Sequence, residues 1–212
     1  MTTKLRVWNG AMVSLGHRRL VDTGEVVEAA RELTAVWDQV VGECLAAGSW
    51  NFAMETVKAT ADTGVTPEFG FPEVFAKPSD WVRTFAVSDD EYFSRPLLHY
   101  YDDSTFWSAE TSPIYVRYVS NDTGLGLDLT RWPAKFARYV ELEAASRIAY
   151  KVTQSDSVVE RMEKTRDKAR REALNHDAMN EANPKFPPPS SWTVSRGGLS
   201  GRERGSRSNL TE

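Results

Sequence analysis

The chain has 212 residues, 41% of them hydrophobic, and sets 26 basic against 30 acidic side chains for a formal net charge of -4. That supports one core of ordinary domain size with an appendage, and the slight acidic balance excludes a general pull toward nucleic acid or anionic membrane. A single cysteine, Cys44, excludes an intramolecular disulfide and a zinc finger, and suits a reducing cytoplasm where the chain is made.

The opening segment MTTKLRVWNGAMVSLG lacks the apolar stretch of a secretory signal, and no run approaches the ~18 apolar residues of a spanning helix. The expectation is a protein not secreted by that route and without a membrane partner, so that the sequons at Asn121 and Asn209 are chance matches. Leu5, Trp8, Met12 and Leu15 recur at spacings of three and four, which predicts a short amphipathic helix over 4–15 stopped by Gly16. Asp22 followed by Glu25 has the form of a capping box. It precedes a long helical pattern through Val26, Ala30, Leu33, Trp37, Val40, Cys44 and Leu45, with Gly48 as its stop. Cys44 lies on that apolar stripe and reads as a buried, inert thiol.

Residues 50–58 form the first extended segment. Residues 62–80, punctuated by Gly64, Pro67, Gly70, Pro72 and Pro78, read as a long loop that is functional or packed onto a neighbour. Dense aromatic and β-branched residues with turn dipeptides over 81–121 predict a small antiparallel sheet, with strands near 81–87, 97–101, 105–109 and 113–119. In the last strand Ile114, Val116 and Tyr118 face one side, while Tyr115 and Val119 put apolar groups on the other. Such a sheet needs cover on both faces, from its own helices or from another subunit.

Beyond the Gly124 and Gly126 linker, Pro133 opens a helix with Phe136, Val140, Ala144 and Ile148 as its buried stripe, ending near Val152. Ser155 or Ser157 then starts a last helix, Ser157 with Glu160 fitting a capping box, and so short a connection predicts an antiparallel helix hairpin. Residues 156–172 alternate acidic and basic groups, so this helix is half solvated or covered by polar contacts between subunits. From Asn183 the composition turns to proline, glycine and arginine, with too little apolar surface to offset ordering entropy. The fold class expected is α+β: an antiparallel helical bundle (1–49 and 129–183), an inserted small antiparallel β-sheet domain (50–128) and an extended basic C-terminal arm (184–212).

Chemistry-bearing patterns are sparse. His17, His99 and His176 have no partner at metal-ligand spacing, so no metal site is expected. Asp89-Asp90-Glu91 and Asp102-Asp103 could hold the acid and base of a glycan hydrolase, but such residues at turns usually bond their own backbone. Gly124-Leu125-Gly126 lacks the spacing of a phosphate or dinucleotide loop, and no P-loop, nucleophile elbow or kinase signature occurs. Seven tryptophans and seven tyrosines could line a sugar platform. Trp8, Trp37 and Trp132 nonetheless fall in or beside helices as core, leaving Trp81 and Trp107 as core or interface anchors of the sheet. The expectation is a protein without catalytic residues or cofactor.

Three segments in order, WNFAMETV, then FAKPSDWVRTFAVSDDEYFSRPLLHYYDDSTFWSAETSPIYVRYVSND, then LTRWPAKFARYVELEAASRIAYKVTQSD, followed by the junction DAMNEANPKFPPPSSW, resemble the tail tubular protein A family of short-tailed bacteriophages (podoviruses). The likeness covers most of residues 4–192 and least of the stretch from Ser195 on. It implies a structural virion protein, the head-to-tail adaptor: a helical bundle carrying a β domain, assembled in the host cytoplasm as a homo-oligomeric ring, commonly twelve-fold. Such a ring joins the portal protein to the tail nozzle or tubular protein and lets DNA pass passively during ejection. In that setting the arm is expected to bind the portal, Phe186 and Trp192 occupying pockets while Arg196, Arg202, Arg204 and Arg207 pair with carboxylates. The competing classes are a phage carbohydrate-binding module and a cell-wall glycan hydrolase.

Overall fold

The computed structural model describes residues 2–65, 67 and 70–180. Within them four helices and six strands form a mixed α+β fold, in the order α1 (Lys4–Ser14), α2 (Glu28–Ala46), β1 (Met54–Ala59), β2 (Glu73–Ala76), β3 (Trp81–Ser88), β4 (Tyr101–Asp102), β5 (Phe106–Ala109), β6 (Ile114–Ser120), α3 (Ala134–Thr153) and α4 (Asp156–Asn180). The arm expected over 184–212 lies outside the described residues.

Helix α1 starts where the Thr3 hydroxyl accepts the Arg6 N–H at 3.2 Å, and ends as Gly16 takes φ +79°. The Asn9 amide then bonds both backbone groups of Leu20, which folds the connection back over α1. The expected capping box ahead of α2 does not form. Asp22 accepts from Gly24 and Glu25 from Val21, closing a separate turn, and α2 begins three residues past Glu25 with Val27 as an N-cap lacking a side-chain bond. Gly48 sits in a crowded place rather than at a left-handed stop: a Cβ there would lie 2.5 Å from the tip of Leu174 and 3.0 Å from Trp50, so those side chains would have to shift. The Trp50 indole donates to the Cys44 carbonyl at 2.9 Å and pins the exit from α2.

The strands form two three-stranded antiparallel sheets, β1-β6-β3 and β2-β5-β4, where one sheet was expected. The long loop of 62–80 contains β2, whose Phe75 is buried opposite Trp107 of β5. The strand expected over 97–101 is reduced to a bridge between Ser88 and Pro96 and the two residues of β4. The sheets face each other. Val87, Ile114 and Val116 of the first pack with Phe75, Trp107 and Ala109 of the second, while Val119 joins the helical core. The apolar strand β6 is thus covered within the chain, by a second sheet that the sequence reading did not foresee.

Helix α3 opens at Pro133, whose carbonyl accepts the Ala137 N–H at 2.9 Å, and buries Phe136, Val140, Ala144 and Ile148 as its spacing predicts. Gln154, at φ +51°, reverses the chain, and Ser155 offers its carbonyl to Val158 and Val159. Ser157 lies inside the first turn of α4 and forms no box with Glu160. The hairpin is antiparallel, with Lys135 on Glu172 at 2.9 Å and Glu143 near Arg166 at 3.7 Å. Trp8, Trp37, Trp132, Phe136, Trp50 and Tyr139 form a continuous aromatic seam through the helical core, with centroids 4.7–6.4 Å apart.

Candidate interaction surface

The acidic clusters are structural where the geometry places them. Asp90 accepts the N–H groups of Tyr92 (2.7 Å), Ser94 (3.2 Å) and Arg95 (3.1 Å) as well as the Ser94 hydroxyl, whose bond comes first in holding its carboxyl below the ordinary range. Asp102 pairs with Lys77, whose ammonium also donates to the Asp103 carbonyl. That ammonium sits 3.4 Å from the centroid of Trp81 and 5.5 Å from that of Trp107, with only 3% of its side chain exposed. Lys77 thus ties the end of β2 to β4 and roofs the indoles, a role the sequence reading missed. The only local hint is its position just after β2 in the run FAKP.

A second polar cluster joins Asp80 to β6. Its carboxylate accepts the hydroxyls of Ser120 and of Tyr118 (3.2 Å), and its carbonyl accepts Asn121 N–H at 2.9 Å. Burial, followed by the charge of Asp80, pushes the Tyr118 phenol well up. The protons here are committed to holding β6 against the turn before β3. Cys44 is fully buried and its thiol is driven well up, first by burial and then by the Glu143 charge. His17, His99 and His176 are exposed, and among the described residues no group of His, Cys, Asp and Glu could hold a metal ion.

Trp8, Trp37, Trp50, Trp107 and Trp132 are buried, and Trp81 is half-buried with its N–H on Thr84. These indoles pack against other side chains, and those of Trp37, Trp81 and Trp132 also border surface grooves. Trp192, with Phe186, Arg196, Arg202, Arg204 and Arg207, lies outside the described residues. Several surface grooves occur among the described residues, one of them of about 420 Å³ lined by Trp81, Arg83, Thr84, Asp102 and Asp103. One of about 520 Å³ between α1 and α3 is lined by Arg6, Asn9, Arg19, Arg138 and Glu141, and one of about 260 Å³ by Trp37, Val41, Leu127 and Trp132.

Large apolar residues are exposed in both the helical and the β parts, Val13, Val21, Val26, Tyr150 and Met179 in the former. Phe85, Tyr92, Leu98 and Tyr101 belong to the strands and loops of the β region, Tyr92 and Leu98 being more than 80% exposed. Exposed aromatic groups of this kind are characteristic of contact surfaces. On the helical side, the outward face of α4 is built from charged side chains, of which Asp156, Glu160, Arg161, Glu163, Lys164, Asp167, Lys168 and Arg171 are all exposed. No helix of the described residues is long and apolar enough to cross a membrane. No protein-family model matches the chain, and a search of curated proteins finds no match.

Proposed function

We propose that the chain is a structural virion protein, the head-to-tail adaptor of a short-tailed bacteriophage, assembling as a ring between the portal protein and the tail nozzle. The observation that carries this reading is the coincidence of the resembling segments with the architecture. WNFAMETV covers the turn into β1, the long middle segment covers β2 to β6, and LTRWPAKFARYVELEAASRIAYKVTQSD covers α3 and the turn into α4. These elements build the β core and, through α3, part of the helical core, whose other walls are α1, α2 and α4. Exposed aromatics on the β region and a charged outer helix give such a subunit surface for neighbours.

In this reading DNA contact is passive. The overall acidic balance supplies little phosphate-neutralising surface, and a channel through which DNA slides gains nothing from tight binding. Negative-stain microscopy of the purified protein, alone and mixed with its portal, tests the proposal. Rings coaxial with the portal are expected, whereas a monomer that ignores the portal and binds cell-wall glycan would replace this reading with the carbohydrate-binding or hydrolase class.

A further inference from the structure

Most outward charged residues of α4 fall into two ridges of opposite sign, while the exposed Arg170 continues the line of the acidic one. Asp156, Glu160, Glu163 and Asp167 recur at spacings of four, three and four, and Arg161, Lys164, Lys168 and Arg171 at three, four and three. At 3.6 residues per turn each set runs down one side of the helix, the two lying roughly 90° apart. A third stripe, Met162, Arg166, Ala169, Ala173 and Asp177, turns into the body: four of these are buried, and Arg166 reaches Glu143 at 3.7 Å.

Anchors spaced along α4 fix its rotation. Arg166 meets Glu143, Glu172 meets Lys135, and Asp177 accepts the Asn51 N–H at 3.1 Å. The ridges therefore cannot roll inward. Nor do they neutralise each other fully, since among the described residues one ion pair, Glu160 with Lys164 at 3.9 Å, joins them, and Asp167 pairs instead with Arg166 at 2.9 Å. Within each ridge every step sets like charges three or four residues apart, a spacing that destabilises a helix on its own. The ridges gain most from a surface carrying the opposite arrangement.

We infer that α4 is a contact between neighbouring copies of this chain, the acidic ridge of one copy lying along the basic ridge of the next with the two helices parallel. The inference rests on the ring reading above and assigns one of its interfaces. A second copy fits because the same helix carries both complements. Set side by side in parallel, two copies bring acid against base, while an antiparallel placement brings like against like. Each copy then uses its two ridges on two different neighbours, which is the head-to-tail contact that closes into a ring. The logic is that of the charged flanks of a coiled coil. A nucleic acid is a poor occupant, because the acidic ridge runs beside the basic one as far as Asp167.

Two charge-reversed chains test this: R161E/K164E/K168E/R171E, and E160K/E163K/D167K, each checked for helical circular dichroism and imaged with and without portal. Each alone should fail to form the rings that the wild type forms, and an equal mixture should restore them with the two chains alternating. A third chain carrying both sets of substitutions keeps the pairing while exchanging the signs, and should assemble by itself. Rings formed normally by either reversed chain alone would overturn the α4 contact and leave the adaptor reading standing. So would failure of both the mixture and the exchanged chain where the wild type succeeds. A wild type that stays monomeric with and without portal would overturn the adaptor reading and this contact together.

Discussion

Two glycines should respond to a methyl group in opposite directions. A Cβ on Gly126 would lie 2.0 Å from the Ser120 carbonyl oxygen, a backbone atom held in place while the Gly126 carbonyl accepts the Trp132 indole at 2.9 Å. Gly42, exposed within α2, has nothing within 4 Å of the same position. Gly126→Ala should therefore lose about 1–3 kcal/mol in urea denaturation through overpacking, and Gly42→Ala should gain about 1 kcal/mol through helix propensity. A neutral Gly126→Ala would mean that the 121–132 turn is free to shift. At this scale the sequence was informative wherever a residue acts through its own periodicity: Cys44 and the tryptophans of the helices are buried where their stripes put them. It was silent on Lys77, because the aspartate that pairs with it is 25 residues further along the chain and in another strand. No local pattern encodes such a contact.

Among elements, the long helices were legible and the short strands were not. Twelve or more residues of 3.6-fold periodicity outvote accidental matches. Two- and four-residue strands such as β4 and β2 offer no period to count, so β2 was hidden in a proline-punctuated loop and the second sheet with it. The boxes expected at Asp22 and Ser157 failed for different reasons: the turn at Asp22 closes before α2 begins, and Ser157 already lies inside the first turn of α4. What the short-range carboxylates do instead is hold joints. Glu25 closes the turn before α2, Asp90 the turn after β3, Asp128 the approach to α3, and Glu172 the α3–α4 hairpin, and each is held below its ordinary carboxylate range by its hydrogen-bonding partners. The folded state binds these protons less readily than the unfolded chain does. Their stabilisation is therefore complete above the unfolded values near about pH 4 and is lost as pH falls through the lower folded values. The melting temperature should be level from about pH 8 to pH 5 and fall below about pH 4. Asp90→Asn, which keeps an acceptor but removes the titration, should flatten part of that acid limb; an unchanged limb would show that these joints do not limit stability.

On the scale of the whole molecule, among the described residues the buried side chains of both cores come from residues up to Ala173, and Asp177 beyond them accepts from Asn51. Composition sets the remaining stretch apart: from Asn183 on it carries five basic against two acidic groups in an acidic chain, with Phe186 and Trp192 as its large apolar residues. If the ring reading holds, such a segment serves as a tether to the portal. Ordering a backbone costs roughly 1–2 kcal/mol per residue, so a single arm binds weakly, and attachment depends on many copies engaging neighbouring sites on one ring. Proline favours an extended course, which lets few residues span a long distance to those sites. Deleting residues 184–212 should leave the thermal unfolding of the body nearly unchanged and abolish co-sedimentation with DNA-filled heads. A matched chain with Phe186→Ala and Trp192→Ala should lose most of the same attachment if those two side chains fill pockets, and Arg→Gln at Arg196, Arg202, Arg204 and Arg207 should make the residual attachment insensitive to salt. Should the truncated chain still attach and retain the packaged genome, the arm is dispensable, and the helical body itself grips the portal.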